Sequence, residues 1–524
     1  MEGASVAAQA APSRKAGSST YNARTLSALD LVIIVGYLAA VVLTGVWFGR
    51  RQTSTSRYFL GGREVPWWAI SASIVATETS TITFISVPGI AYARGGDFRF
   101  LQLVLGYLLG RIVISALFIP SYFRGSLVTV YQLLTERFGG KVRSLAASLF
   151  IVMRMIADGV RLLLTSIVLA AVYRSFVPTA ALGETIAASI ILLGAVMIVF
   201  SFFGGIEAIV WIEVVQLGIY ILGAIAAAVI LIQAIPGGVP AALELGREYG
   251  KFRMFDFSFD LTRTYTFWAG LAGGCFLTMS THGTDQFMVQ RYLCTSDSKK
   301  AVTALLSSGV VVLAQFAGFL FIGVLLFAYY RPDLIPDYAN AAAAAPFTGS
   351  DQVFPDFITR GMPTGLAGLV VAAIFAAAMS SSLSAIASTT VSDLYVPLAP
   401  GRTDRHYLRV SKLVTVLAGM IQIGVGLALM GGTRSALDIA LAVASLINGP
   451  ILGVFLLGAV GKGRPSTALI AMGIGIATVT TVWIWTPLAW PWYAATGSLV
   501  TLLAGLAGEA VAGPHPNRAS EEAS

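Results

Sequence analysis

The chain is 524 residues long, 56% hydrophobic and only 11% charged, with a formal net charge of +8. Soluble domains carry roughly 25% charge, so a soluble monomer is excluded and a polytopic membrane protein remains. The positive balance does not point to a nucleic-acid partner, because cytoplasmic loops of membrane proteins collect Lys and Arg by themselves.

Residues 1–28 are polar and Ala/Ser-rich and predict a disordered tail. The apolar stretch from Leu31 to Phe48 follows. It is too long for a signal h-region and no small-residue cleavage pattern follows it, so 29–49 reads as an uncleaved leading transmembrane helix. Apolar runs of spanning length recur near 66–91, 100–120, 145–172, 184–203, 208–234, 267–290, 302–329, 364–390, 410–430, 436–461, 466–486 and 490–512. With the leading helix they make about 13 transmembrane helices of roughly 20 residues or more. Gly204-Gly205 predicts a tight turn between two of them. Cys275 and Cys294 give neither a disulfide framework nor metal-ligand spacing.

Two apolar runs carry polar interruptions. One is Ala76-Thr77-Glu78-Thr79-Ser80-Thr81; the other is Thr278-Met279-Ser280-Thr281-His282-Gly283-Thr284-Asp285. Setting aside the leading helix and the last two (466–512, before a tail at 513–524) leaves ten spans. They divide into a first repeat of five over 66–234 and a second of five over 267–461. Each five opens on the interrupted segment, and an odd number of helices per half inverts one half relative to the other. The expected fold is therefore all-α and polytopic, a five-plus-five inverted repeat with broken first and sixth repeat helices. That organisation supports alternating access around a midplane binding site. Opened backbone at that depth survives only where protein or a water-filled cavity satisfies it.

Orientation follows from the basic loops. Arg50, Arg51, Arg57 and Arg63, then Arg124, Arg137, Lys141 and Arg143, fall on one side. Making that side cytoplasmic puts the N-terminus outside and the C-terminus inside a cell membrane.

Polar groups at membrane depth mark the candidate chemistry. Ala378, Ser381 and Ser382 are spaced i, i+3, i+4 and so share one helical face. Two hydroxyls there suit either close helix packing, with the hydroxyls bonded back to carbonyls, or ligation of a hard monovalent cation completed by carbonyls of a broken neighbour. Glu78 lies in the first interruption. It serves either as a structural acceptor for freed N–H groups or as a cavity-facing group for a solute. Arg154, Asp158 and Arg161, spaced i, i+4, i+7, read as an internal ion-pair ladder, or as a ladder with one Arg left for a carboxylate solute. Asp285, just ahead of Gln290-Arg291, suits an inner gate network, and His282 a satisfied core group. Enzyme chemistry finds no support: there is no His-Glu-x-x-His, no nucleophile elbow in context, and three histidines in all.

The chain resembles the sodium/solute symporter family, which includes the sodium/glucose and sodium/proline cotransporters. The resemblance rests on Tyr58-Phe59-Leu60-Gly61-Gly62-Arg63, Gly204-Gly205, Gln290-Arg291, the Ala378–Ser382 stretch, and Asn448-Gly449-Pro450 leading into Leu452-Gly453-Val454-Phe455-Leu456-Leu457-Gly458. It covers about 30–460 in order and spacing. It implies a leucine-transporter-type fold and sodium-driven uptake of a small solute. Position by position it places a sodium site on carbonyls of Ala76, Thr79 and Ala378 and hydroxyls of Ser381 and Ser382. Some members hold a second sodium with an Asp in the fifth repeat helix. Glu213 stands there, Ser384 fits as a further ligand, and Ala385 replaces a hydroxyl. Sugar-carrying members line their pocket with amides, where this chain has Glu78, Thr83 and Thr278. Thr281 stands at a gating Tyr, and Gln102 is placed to line the pocket from the second repeat helix. The expected solute is a monocarboxylate-like anion or a sugar, with Na+ as the co-transported ion. A proton-coupled carrier and a non-transporting solute sensor are the alternatives.

Overall fold

The computed structural model describes residues 26–79, 81–335, 344–347, 349–379, 382–430, 436–461 and 463–512. The tails expected over 1–28 and 513–524 lie outside these residues but for 26–28, and so does Ser381.

Among the described residues the chain is helical. Helix α1 (Ala28–Gly49) opens on a capping box in which Ser27 and Asp30 exchange hydrogen bonds. Asp30 reaches further and accepts from the N–H groups of Gly365 and Gly368, tying α1 to a helix more than 300 positions away. The first interrupted segment is α2 (Trp67–Glu78) followed by α3 (Thr81–Tyr92). The parts Trp67–Glu78 and Thr83–Tyr92 are bent by 59°. Helices α4 (Leu101–Leu117) and α5 (Gly140–Phe176) come next. Helix α6 (Leu182–Ala234) is 53 residues long, about twice what a bilayer needs, and breaks at Gly205. Gly205 sits at φ +60, ψ −167, which only glycine adopts readily, and a Cβ there would lie 2.8 Å from the Tyr58 carbonyl oxygen. The run is thus two helices joined at Gly205, where the tight turn between two spans was expected.

After the loop 235–266, a π-helical stretch Ala269–Gly273 leads into α7 (Gly274–Thr278), a second π stretch Met279–Gly283, and α8 (Gln286–Leu293). Then come α9 (Ser298–Tyr330), α10 (Leu366–Met379), α11 (Leu383–Thr389), α12 (Asp404–Ala428), α13 (Ala436–Val460), α14 (Pro465–Trp485) and α15 (Trp492–Ala512). Among the described residues seven helices are long and apolar enough to cross a membrane, eight with the bent pair. Breaks and short helices such as α4, at 17 residues, account for the lower figure against about thirteen apolar runs.

The apolar interior falls into two clusters. One contains Ile74, Ile114, Met153, Ile212, Leu305 and Leu383; the other contains Val75, Val104, Leu162, Leu217, Val312 and Ala377. The boundary therefore crosses α2, α4, α5, α6 and α9. Arg111, Arg154, Asp158, Arg161 and Glu213 lie along those helices between members of the two clusters. They form a polar stratum between two apolar clusters.

Glycines let the helices cross closely there. A Cβ on Gly106 of α4 would sit 2.1 Å from the carbonyl oxygen of Gly270, so the sixth segment touches α4 backbone to backbone.

The 235–266 loop is anchored by charge. Asp256 pairs with Arg99 (3.3 Å) and Arg263 (2.9 Å), and Lys251 donates to the carbonyls of Tyr92 and Ala93 at the end of α3 while lying over Phe327. Ser258 hydrogen bonding, with the two guanidiniums beside it, lowers the Asp256 carboxyl from 3.8 to about 2. A depressed carboxylate stabilises the fold above 3.8, and that contribution is lost as pH falls through 2. Hydrogen exchange of residues 250–266 is therefore expected to accelerate as pH drops from 4 towards 2 relative to the helices, after correction for intrinsic rates. An unchanged ratio would remove the anchor.

A polar stratum at the helix breaks

Helix α2 ends because Thr79 leaves the helical region (φ −80, ψ 58). Its hydroxyl donates to the Val75 carbonyl (2.7 Å) and lies 2.9 Å from the side-chain oxygen of Gln315 on α9. Thr83 donates to the Glu78 carbonyl at 2.9 Å. Side chains thus take over acceptors that the broken helix frees.

Glu78 joins the two interrupted segments. Its carboxylate accepts from Arg111 Nη2 and from His282 Nε2, the latter at 2.5 Å. An ionised carboxylate only accepts, so His282 carries its proton on Nε2, and Nδ1 faces the Thr281 hydroxyl at 2.9 Å. Thr281 also lies 2.9 Å from the Leu277 carbonyl. Thr278 is buried against Gly110 of α4. Of the residues expected to line a pocket, Glu78, Thr83 and Thr281 gather at the breaks. Gln102 does not: it is buried, its amide donates to Arg99 and Tyr265 carbonyls, and its oxygen accepts from Asp256 N–H. It braces the 235–266 loop.

The ladder expected on α5 is not what forms. Arg154 pairs with Asp285 across to the sixth segment, not with Asp158 one turn away. Asp285 is buried and N-caps α8, so an unpaired charge there has no other partner. Asp158 turns instead to Ser382, accepting from its N–H (3.0 Å) and its hydroxyl. Arg161 comes within 3.7 Å of Asp158, an ion pair beyond hydrogen-bond reach, and its side chain keeps 21% exposure.

Of the shared face expected of Ala378, Ser381 and Ser382, only Ser382 has a described side chain. It stands as the N-cap of α11 with non-helical geometry (φ −72, ψ 8). Its N–H goes to the Asp158 carboxylate, which competes with the helical ladder. Only the backbone of Ala378 is described.

Glu213, considered for a second ion, is fully buried and held by Arg291 Nη2 at 2.6 Å, by Thr77 at 3.0 Å and by Ser73. Ser384 accepts from Gln290 at 3.0 Å. Neither Ser73 nor Thr77 was legible as a partner of Glu213: Ser73 reads as an ordinary small polar residue of an apolar helix, and Thr77 only as part of the first polar interruption.

A family model for the sodium:solute symporter family matches residues 58–475. The chain belongs to the sodium:solute symporter family. The sodium/sialic acid symporter NanT of Aliivibrio fischeri is 30% identical over 491 residues, covering 92% of this chain and 93% of that one. The human sodium/iodide cotransporter is 28% identical, covering 88% and 70%. A solved substrate-bound, outward-open sodium-coupled sialic acid symporter superposes with a TM-score of 0.81 at 28% identity, covering 93% and 99%. The symporter is thus a multi-pass membrane transporter and not an enzyme, with the all-α transporter fold expected, and Na+ is its co-transported ion.

Proposed function

We propose that the symporter imports a carboxylate-bearing sugar of the sialic acid kind, drawn in by the sodium gradient. The observation that carries this is Arg161: a guanidinium in the polar stratum whose described ion pair is long, beside two arginines already engaged by Glu78 and Asp285. A solute carboxylate would replace the 3.7 Å contact with a bidentate, charge-assisted pair. The hydroxyls of Thr83 and Thr281 would serve the sugar. The solutes named for the two relatives, sialic acid and iodide, are both anions, which supports a site built for negative charge.

Sodium in this reading is clasped by the carbonyls of Ala76, Thr79 and Ala378 and the hydroxyls of Ser381 and Ser382. Ion binding then favours one access state over the other by its differential affinity, and the solute site forms with it. The helices read as five-plus-five inverted repeats, with the N-terminus outside and the C-terminus cytoplasmic.

The test is uptake of radiolabelled sialic acid into proteoliposomes under an inward sodium gradient, with potassium as control. Arg161→Gln is expected to raise the half-saturating solute concentration by roughly 10- to 100-fold, as loss of a charged hydrogen bond does. Arg161→Lys should fall between. Equal competition by a neutral hexose, or an Arg161→Gln protein with unchanged solute dependence, would overturn the carboxylate reading.

A further inference from the structure

A hydroxyl that ligates a cation presents a lone pair to it, so its own proton has to be donated elsewhere. Ser382 has that acceptor. Its hydroxyl and its backbone N–H both donate to one oxygen, Oδ2 of Asp158, from a helix 224 positions away. Asp158 is 4% exposed, and its other oxygen, Oδ1, is buried with no hydrogen-bond partner. The adjacent basic groups do not take that oxygen. Arg154 is committed to Asp285, and Arg161 stops at 3.7 Å. A carboxylate with half of its hydrogen-bonding capacity unfilled therefore sits against Ser382, the N-cap of α11. Buried carboxylates are expensive unless paired, and a cation brought to the serine that Asp158 already holds would add counter-charge that Arg161, at 3.7 Å, supplies only in part.

We infer that Asp158 is part of the sodium site. It is a positioning residue that fixes the Ser382 oxygen towards the ion, and it makes an otherwise neutral oxygen cage net negative. The inference rests on the reading of Ser382 as a sodium ligand. It has a consequence for coupling: sodium and Arg161 share one carboxylate, so an ion at Ser382 loosens the hold of Asp158 on Arg161. The guanidinium is then released to the solute's carboxylate. Solute affinity depends on sodium through two side chains one turn apart on α5.

The experiment measures binding of labelled sodium to the purified protein in nanodiscs, with sodium-dependent thermal stabilisation as a second readout and choline as the balancing cation. The variants are Asp158→Asn, Asp158→Glu, Ser382→Ala and the pair Asp158→Asn with Ser382→Ala. Asn keeps the shape and can still accept from the Ser382 hydroxyl, so Asp158→Asn isolates the charge. It is expected to raise the half-saturating sodium concentration roughly tenfold or more. Asp158→Glu should recover part of that loss, and the double variant should be no weaker than about the worse single one, because the two groups act as a unit. Should Asp158→Asn fold poorly, the preference for sodium over lithium in Asp158→Glu decides instead: a changed ratio supports the inference and an unchanged one overturns it. If Ser382→Ala weakens sodium binding and Asp158→Asn does not, or if their effects multiply, Asp158 is not in the site although the site stands. If neither variant alters sodium binding, the sodium-site reading fails and takes this inference with it.

Discussion

Replacing Arg291 by Met is expected to lower the stability of the symporter by about 3–5 kcal/mol, the range for stripping one partner from a buried ion pair. The pair is buried on both sides, at 1% and 0% side-chain exposure. Arg291 is also the hub of its surroundings. Its Nε donates to Ser73 (3.0 Å), its Nη1 to the Phe287 carbonyl, and its guanidinium lies 4.5 Å from the centre of the Phe287 ring. Methionine fills much of the volume but leaves the Glu213 carboxylate with only the hydroxyls of Ser73 and Thr77. Three elements lose their common tie: α2, α6 and α8. Adding Glu213→Leu to Arg291→Met should restore a large part of the loss, because an apolar pair of similar volume carries no stranded charge. Thermal unfolding of the single and double variants in one detergent checks both statements. A single variant as stable as the parent, or a double variant worse than the single, would contradict them. The same pair bears on ion stoichiometry, since a second sodium at Glu213 would have to displace a guanidinium held at 2.6 Å.

Arg154→Gln is expected to open the side of the transporter on which Asp285 caps α8. On that side the sixth segment is locked to its neighbours by the Arg154–Asp285 pair, by the Tyr122 hydroxyl on the Gly283 carbonyl, and by Gln286, whose amide bridges Val128 and Val130. Removing the charge from Arg154 deletes the only ion pair among these. If the access states differ by a few kcal/mol, losing ~1.4 kcal/mol of stabilisation on that side shifts their ratio about tenfold. The native Cys294 reports the change. It lies at the end of α8, fully buried, and burial pushes its thiol up to about 12, so it is unreactive while that side is shut. In a Cys275→Ala background, maleimide labelling of Cys294 should accelerate about tenfold in Arg154→Gln. Sodium should slow it again, because sodium favours the opposite state. Acceleration that sodium does not reverse would indicate local unfolding, and no acceleration would show that the pair does not govern access.

The interrupted segments were readable because their residues break the local rule. Thr77, Glu78, Thr79 and Ser80 in the middle of an apolar run offer side-chain partners to backbone groups that a bent helix releases, and the helix does end at Glu78. The turn geometry of Ser382 was not readable in the same way. Three serines between alanines and a leucine suit a packed helix as well as a turn. What Ser382 leans on is a carboxylate from α5, and nothing local to the serines announces it.

Ion-pair choice shows the same division. Arg154 has an acid four positions on, the spacing that favours pairing along a helix, yet it pairs with Asp285, 131 positions away. Gln102, a polar residue on a helix near the breaks, looked like a pocket group and is a brace for a loop.

The amino-acid sequence by itself determined that this is a multi-pass helical membrane protein, where two of its apolar runs are interrupted, and which family it belongs to. These follow from run length, apolar content and polar interruptions, all of which act within a few turns of chain. Only the tertiary structure decided which acid holds which arginine, that Ser382 leans on Asp158, and that Glu213 is already neutralised by Arg291. A buried charge selects its partner by three-dimensional distance in a medium of low dielectric, where one misplaced pair costs several kcal/mol. That distance is set by how helices far apart in the chain come to lie side by side.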